Sequence, residues 1–220
     1  MSAVPGGAPG ASDPAAVLAS LGAATLGECG AWAMPPRIRP VWRGATVSAP
    51  AYPVRCTPGD NLAIHVAVTR APEGSVLVVD VGDVSDRGYW GEVLTTGALA
   101  RGLGGLVIDG GVRDVAALER LGFPVFSRTV ALRGATKVAR GTVGSHVVVA
   151  GAPVAPGDWV VGDVDGVVVV PGDRLVDVID AGRGRAAAED GYFAALRHGA
   201  TTVEILGLDA GPIEDGGPPV

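Results

Sequence analysis

Apolar positions along the chain follow two periods in turn, and the alternation predicts helices interleaved with strands. Asp13-Pro14 supplies an N-cap and a first helical residue for a helix through Leu21, and a second short helix covers Thr25 to Ala31 before Met34-Pro35-Pro36-Arg37 breaks it. Residues 45 to 56, ATVSAPAYPVRC, alternate loosely around two prolines, which predicts bent or edge strands rather than a central one. Asp60 caps a helix through Arg70, and the β-branched run from Ser75 to Val81 reads as a buried strand. A polar loop from Gly82 then ends in Tyr89 and Trp90, aromatics suited to the core and available as a pocket wall. Val93, Leu94, Ala98 and Leu99 recur at helical spacing, Leu106-Val107-Ile108 forms a short strand, and Asp109-Gly110-Gly111 reads as a turn. Val112-Arg113-Asp114 leads into a helix from Val115 to Leu121, and Phe123 to Phe126 forms a further strand with Ser127 and Arg128 at its end.

From Val143 to Pro171 the pattern is strand-rich and antiparallel, with turn signals at Gly157-Asp158 and Asp165-Gly166. Asp163 to Gly166 resembles part of a calcium loop but lacks the closing acid, so a hairpin is expected. Asp173 starts a helix to His198, with one apolar stripe through Leu175, Val178, Ile179, Ala186, Phe193 and Leu196. Thr201 to Leu206 is expected to add a strand or pack on a neighbour. Gly/Ala/Pro-rich residues 1 to 12 and the tail 207 to 220 have little to bury and are expected to be disordered, leaving one domain over 13 to 206.

The composition agrees with a single α/β domain: 220 residues, 48% hydrophobic, with 35 glycines and 17 prolines for many turns. A net charge of -6 gives no basic footprint, which argues against nucleic acid and against anionic membrane surfaces as partners. Cys29 and Cys56 stand far apart without zinc-ligand or redox spacing. The start of the chain lacks the basic and apolar segments of a signal peptide, and no run reaches membrane-span length, so the expected compartment is the cytoplasm. No fixed repeat, dinucleotide fingerprint or phosphate loop occurs. His65, His146 and His198 share no ligand spacing and read as structural, and Lys137, the only lysine, reads as a loop charge unsuited to Schiff-base chemistry.

The candidate chemistry lies between Gly91 and Asp114, where ionisable residues flank a helix–strand unit. Helix starts beside strand ends leave backbone N–H groups free for small anions. Arg113 adds a bidentate fork for a carboxylate, and Asp114 an oxygen suited to a hard cation that keeps several waters. Glu92, with twenty residues between it and Arg113, is placed to hold one such water. Each also has a plain structural use: Asp114 as a cap, Arg113 in a surface ion pair, and Glu92 as a solvated first-turn acid.

The block DVGDVSDRGYWGEVLTTGALARGLGGLVIDGGVRDVAALERLGFPVFSR, with the later GDVDGVVVVP, resembles the RraA-like family. That family joins 4-hydroxy-4-methyl-2-oxoglutarate aldolases to regulators of ribonuclease E, and the similarity runs from about Thr25 to His198. The resemblance implies a β/β/α swivelling-domain-like sandwich, homotrimers or homohexamers, and an active site between subunits. It implies a lyase that splits a 4-hydroxy-2-oxo dicarboxylate to pyruvate with Mg²⁺ or Mn²⁺, with oxaloacetate decarboxylation as a side activity. By position, Asp114 is the metal ligand, Arg113 contacts the oxo and carboxylate oxygens, and Glu92 works through water on the metal. Backbone N–H groups around Gly91, Glu92, Val93 and Leu94 cradle the carboxylate, and Glu189 is the candidate acid from an adjacent subunit. One departure stands out: position 92 is Glu where other aldolases of the family have Asp. The alternative is a non-catalytic regulator that binds a ribonuclease; a methyltransferase reading finds no glycine-rich nucleotide turn to support it.

Overall fold

The computed structural model describes residues 13–213. The chain runs α1 (Pro14–Glu28), β1 (Trp32–Ala33), β2 (Arg39–Pro40), β3 (Val47–Arg55), α2 (Leu62–Arg70), β4 (Val76–Asp80), β5 (Arg87–Trp90), α3 (Glu92–Ala100) and β6 (Gly105–Val112). It continues with α4 (Val115–Arg120), β7 (Val125–Val130), β8 (Arg133–Gly134), β9 (Thr142–Val143), β10 (Val147–Val149), β11 (Ala152–Val154), β12 (Trp159–Gly162) and β13 (Val167–Val170), then α5 (Leu175–Arg197) and α6 (Thr202–Leu206). Two compact units result, a main body up to Gly182 and a helical unit from Arg183.

The main body is a mixed α/β sandwich around one curled sheet. Strands β3, β4, β6 and β7 are parallel, while β12 and β13 continue the sheet antiparallel from the other flank of β3. Side chains from α2, α3 and α4 bury one face of the parallel part through Ile64, Ala67, Leu94, Ala98 and Leu118. The opposite face packs on the β10–β11 hairpin and the curl of the sheet through Val76, Val78, Val107 and Phe126. A third apolar cluster joins α1 and the start of α5 to β12 and β13. This is the β/β/α sandwich that the family resemblance implies.

Several local expectations change. Residues 47–55 form a central strand despite Pro50 and Pro53, because β3 changes partners along its length: β12 pairs residues 47–50 and β4 pairs residues 51–55. Asp109-Gly110-Gly111 is not a turn but the continuation of β6, with a register irregularity between Ile108 and Gly111. The glycines there serve close packing: a Cβ on Gly111 would lie 2.5 Å from the Arg87 carbonyl oxygen, and one on Gly110 2.7 Å from Val81 Cγ2. Asp109 is consequently buried and held by a two-point contact from Arg37, at 3.0 and 2.8 Å. The end of the expected polar loop is strand β5, which buries Tyr89 and Trp90. The predicted N-terminal helices appear as α1, broken at Gly22 by a φ of 78°.

The apolar stripe expected along α5 is buried at Val178 and Ile179, whereas Phe193 is 48% exposed. Thr201 to Leu206 forms a helix rather than a strand, because Thr201 and Glu204 close a reciprocal capping box. The tail expected to begin at 207 is described as far as Ile213, and the expected N-terminal tail lies outside the described residues. Among the described residues, no helix is long and apolar enough to cross a membrane.

Candidate functional site

Two strand-to-helix junctions lie side by side. Strands β5 and β6 are parallel neighbours with Trp90 opposite Val112, and Arg113 N–H donates to the Trp90 carbonyl at 2.9 Å. This register sets Gly91 and Glu92, at the start of α3, against Arg113 and Asp114, at the start of α4. The carboxyl ends of parallel strands and a helix N-terminus thereby converge.

Asp114 is one of two non-glycine residues with positive φ among the described residues, at φ 58° and ψ 36°. Its carbonyl oxygen accepts the first bonds of α4, yet its side chain makes no cap there. Instead Asp114 Oδ2 crosses to α3 and accepts from Glu92 N–H at 3.0 Å, with Arg113 Nε at 3.9 Å. The simple capping reading is thereby overturned, since the left-handed backbone turns the carboxylate toward the neighbouring helix. Such strain at a polar junction is a recurrent feature of functional sites.

Gly91 makes that crossing possible. A Cβ there would overlap the Asp114 carboxylate oxygen, and Arg113 Cγ would lie 3.1 Å away. By helix geometry Val93 and Leu94 have no N–H partner one turn earlier, so the first turn of α3 offers two donors beside the carboxylate. The floor is rigid: Trp90 Nε1 donates to Thr95 Oγ1 at 2.7 Å, and the Trp90 ring stacks on Phe123 with centroids 5.8 Å apart. Tyr89 hydroxyl donates to the Val84 carbonyl at 2.6 Å and accepts from Gly59 N–H at 2.8 Å.

Tyr89, Trp90, Gly91, Arg113 and Asp114 line a cleft of about 180 Å³ that also includes Asn61, His65, Gly134, Ala135 and Lys137. Wider hollows of about 790 Å³ beside Trp32 and His146, and about 830 Å³ beside Arg37 and Arg128, lie elsewhere. The smaller cleft is the stronger candidate because cation, carboxylate and free helix donors meet in it. Of the expected residues, Gly91, Val93, Leu94, Arg113 and Asp114 line it. Glu92 does not, because Arg120 on α4 draws its carboxylate away at 2.6 Å. Glu189 lies on α5 in the C-terminal unit, where it pairs with Arg185 at 3.0 Å.

Three cleft residues escaped sequence reasoning. Asn61 is 5% exposed; its amide donates to the Tyr89 carbonyl at 2.7 Å, and its Oδ1 is buried without a partner. His65, one turn on, has Nε2 likewise buried and unpartnered, and burial, aided by the charge of Lys137, lowers its pKa. Lys137 brings a second cation to the cleft. The available signal is Asn61 beside Asp60 at a helix start, where Asp60 alone reads as a cap.

The comparisons with known proteins bear on this arrangement. Residues 23–169 match the RraA-like family model, described as Aldolase/RraA, a span that contains every cleft residue named above. The chain belongs to the RraA-like family. It is 33% identical over 159 residues to a Halalkalibacterium halodurans protein named "Putative 4-hydroxy-4-methyl-2-oxoglutarate aldolase", covering 72% of this chain and 76% of that one. Among solved structures, an uncharacterized protein from Pseudomonas syringae pv. tomato superposes with a TM-score of 0.79 at 28% identity, over 94% of this chain and 99% of that one. The RNA-processing inhibitor RraA from Thermus thermophilis superposes with a TM-score of 0.59 at 25% identity, over 64% and 85% of the two chains.

The donor set of this RraA-like chain can be tested against a metal. Among the described residues no group of three or more His, Cys, Asp or Glu side chains gathers as a metal cage. Asp114 is the one carboxylate lining the cleft, with Oδ2 engaged by Glu92 N–H. A single carboxylate oxygen suits Mg²⁺ or Mn²⁺, which take the rest of their shell from water and substrate oxygens, and does not suit zinc.

One stability prediction arises beside the cleft. Burial alone would raise the Asp60 pKa, but bonds from Val138 and Leu62 N–H, the Thr136 hydroxyl and Ala139 N–H outweigh it and lower the value to about 2. A pKa depressed by folding contributes stability above the unfolded value, near 4, that is lost as pH falls toward 2; the shift corresponds to about 2 kcal/mol. Asp60→Asn is therefore expected to lower the urea midpoint at neutral pH and to lose most of that penalty near the acid limit. An equal penalty at both pH values would contradict it.

Proposed function

We propose that this RraA-like chain is a divalent-metal-dependent lyase that cleaves 4-hydroxy-4-methyl-2-oxoglutarate or a related 4-hydroxy-2-oxo dicarboxylate to pyruvate. The observation that carries the reading is the Asp114 carboxylate, turned by its left-handed backbone against the first turn of α3, with Arg113 beside it. In this reading the substrate's C1 carboxylate lies on the Val93 and Leu94 N–H groups, and the Arg113 guanidinium donates to that carboxylate and to the 2-oxo oxygen. Breaking the C3–C4 bond sends its electron pair toward C2 and onto the oxo oxygen, where the Arg113 charge stabilises it. Asp114 would hold the metal, which when bound supplies Lewis acidity toward the oxo and carboxylate oxygens.

As the bond breaks, C4 becomes a carbonyl and its hydroxyl proton must leave; Glu189 of a neighbouring copy is the candidate acceptor. Lys137, on another part of the cleft lining, suits the carboxylate beyond the bond that breaks. Oxaloacetate would lose CO₂ through the same electron shift. The copies would assemble as trimers or hexamers, a reading supported by Val93, Leu132 and Val138, each more than 80% exposed. Light scattering that returns a monomer would remove that part.

The decisive assay is pyruvate release from 4-hydroxy-4-methyl-2-oxoglutarate and from oxaloacetate, with Mg²⁺ or Mn²⁺ and with a chelator. Turnover that the chelator abolishes and added metal restores is expected; no metal-dependent turnover of either compound overturns the reading. The structural likeness to the RNA-processing inhibitor RraA supports a second reading, a regulator that binds a ribonuclease. Ribonuclease binding that survives Asp114→Ala, without turnover, would favour it.

A further inference from the structure

Asp60 makes more hydrogen bonds than a helix cap requires. It is 3% exposed, and one bond, from Leu62 N–H to Oδ1 at 2.8 Å, serves the start of α2. The other oxygen accepts three more, from Thr136 Oγ1 at 2.7 Å, Val138 N–H at 2.6 Å and Ala139 N–H at 3.1 Å. Those donors flank Lys137 on both sides. The segment between β8 and β9 that carries them has no regular structure beyond one bridge, Asp60 opposite Thr136. Backbone bonds from Asn61 N–H to the Thr136 carbonyl and from Thr136 N–H to the Gly59 carbonyl, each 2.9 Å, complete the attachment.

The cargo of this segment is a cation without a carboxylate. Among the described residues no acid lies within ion-pair distance of the Lys137 ammonium, which donates to the Ala135 carbonyl oxygen at 3.5 Å. A lysine in an irregular segment otherwise samples many rotamers, and fixing its backbone narrows where the charge can go. One buried carboxylate thus joins the Asn61 end of the cleft to its Lys137 end.

We propose that Asp60 is a positioning residue: by holding Thr136, Val138 and Ala139 it fixes the segment that presents Lys137 to the cleft, where the ammonium receives the substrate carboxylate beyond the breaking bond. The substrate assignment rests on the aldolase reading, whereas the placement of Lys137 does not. Asp60→Asn keeps the size of the side chain but turns an NH₂ toward donors or leaves them unmet, so the segment loosens.

The chain's single lysine makes the test specific. Reductive methylation with isotope-labelled formaldehyde reports Lys137 and the terminal amine alone by NMR. In Asp60→Asn the Lys137 signal is expected to shift and narrow, and KM for 4-hydroxy-4-methyl-2-oxoglutarate to rise about tenfold with kcat changed less than about threefold. Added to Lys137→Ala, Asp60→Asn should cost no more than about twofold in kcat/KM, because the two act as one unit. Thr136→Val, which removes one donor and leaves the backbone bonds, should move the signal in the same direction and serves where Asp60→Asn fails to fold. An unchanged Lys137 signal in a folded variant, or full additivity with Lys137→Ala, overturns the proposal. Should the wild-type protein turn over neither substrate, the aldolase reading falls, and the NMR signal alone decides whether Asp60 places Lys137.

Discussion

Asp114→Ala is expected to lower kcat/KM for pyruvate release about a thousandfold or more, since it removes the one carboxylate in the cleft that can hold a cation. Alanine also abandons a backbone conformation that Asp tolerates better than Ala, so part of that loss would come from the start of α4. Asp114→Asn separates the two effects. Asparagine accepts the left-handed conformation and offers an oxygen to Glu92 N–H, but it carries no charge. If the carboxylate only ties α3 to α4, Asp114→Asn should work like the wild type. If it holds a metal, the loss should approach that of alanine while thermal stability stays near the wild-type value. Titration of Mn²⁺ in the presence of oxalate provides a second readout, and tight Mn²⁺ binding by Asp114→Asn would contradict the assignment.

Gly91→Ala should be nearly as damaging, for a different reason. Gly91 sits at φ -170°, an extended conformation open to any residue, so no backbone preference is lost. The problem is space: the added methyl would overlap the Asp114 carboxylate and crowd Arg113 Cγ at 3.1 Å. Either the carboxylate swings away from Glu92 N–H or the α3 start moves. Displacements of that size in a preorganised site cost on the order of a hundredfold in rate. Thermal unfolding should shift by only a few degrees, because the clash lies at a half-exposed rim rather than in the apolar core. Wild-type kinetics for Gly91→Ala would show that the Asp114 position seen here is not the working one.

How legible the site was depends on the kind of information each residue carries. The junction containing Gly91, Arg113 and Asp114 could be read from sequence because helical spacing before a glycine-bounded strand marks both helix starts. The orientation of Glu92 could not: whether an exposed acid turns to Asp114 or to Arg120 depends on a contact across 28 residues. Lys137 was missed because nothing local distinguishes a lysine over a cleft from one in solvent. Its placement is set by Asp60, 77 residues earlier in the chain. The same limit explains β6, where two glycines mimic a turn but are selected by crowding from Arg87, Ala131 and Val81. It also explains β3, whose prolines suit an edge until the change of partner from β12 to β4 is known.

That shared strand has a consequence for synthesis. Residues 47–50 wait for residues 159–162 before their flank is closed, so more than a hundred residues must leave the ribosome while that edge stays open. In the finished fold that edge presents Ala51 N–H to the Asp158 carbonyl at 2.7 Å, and until then it leaves unpaired backbone donors and acceptors open to a strand of another copy.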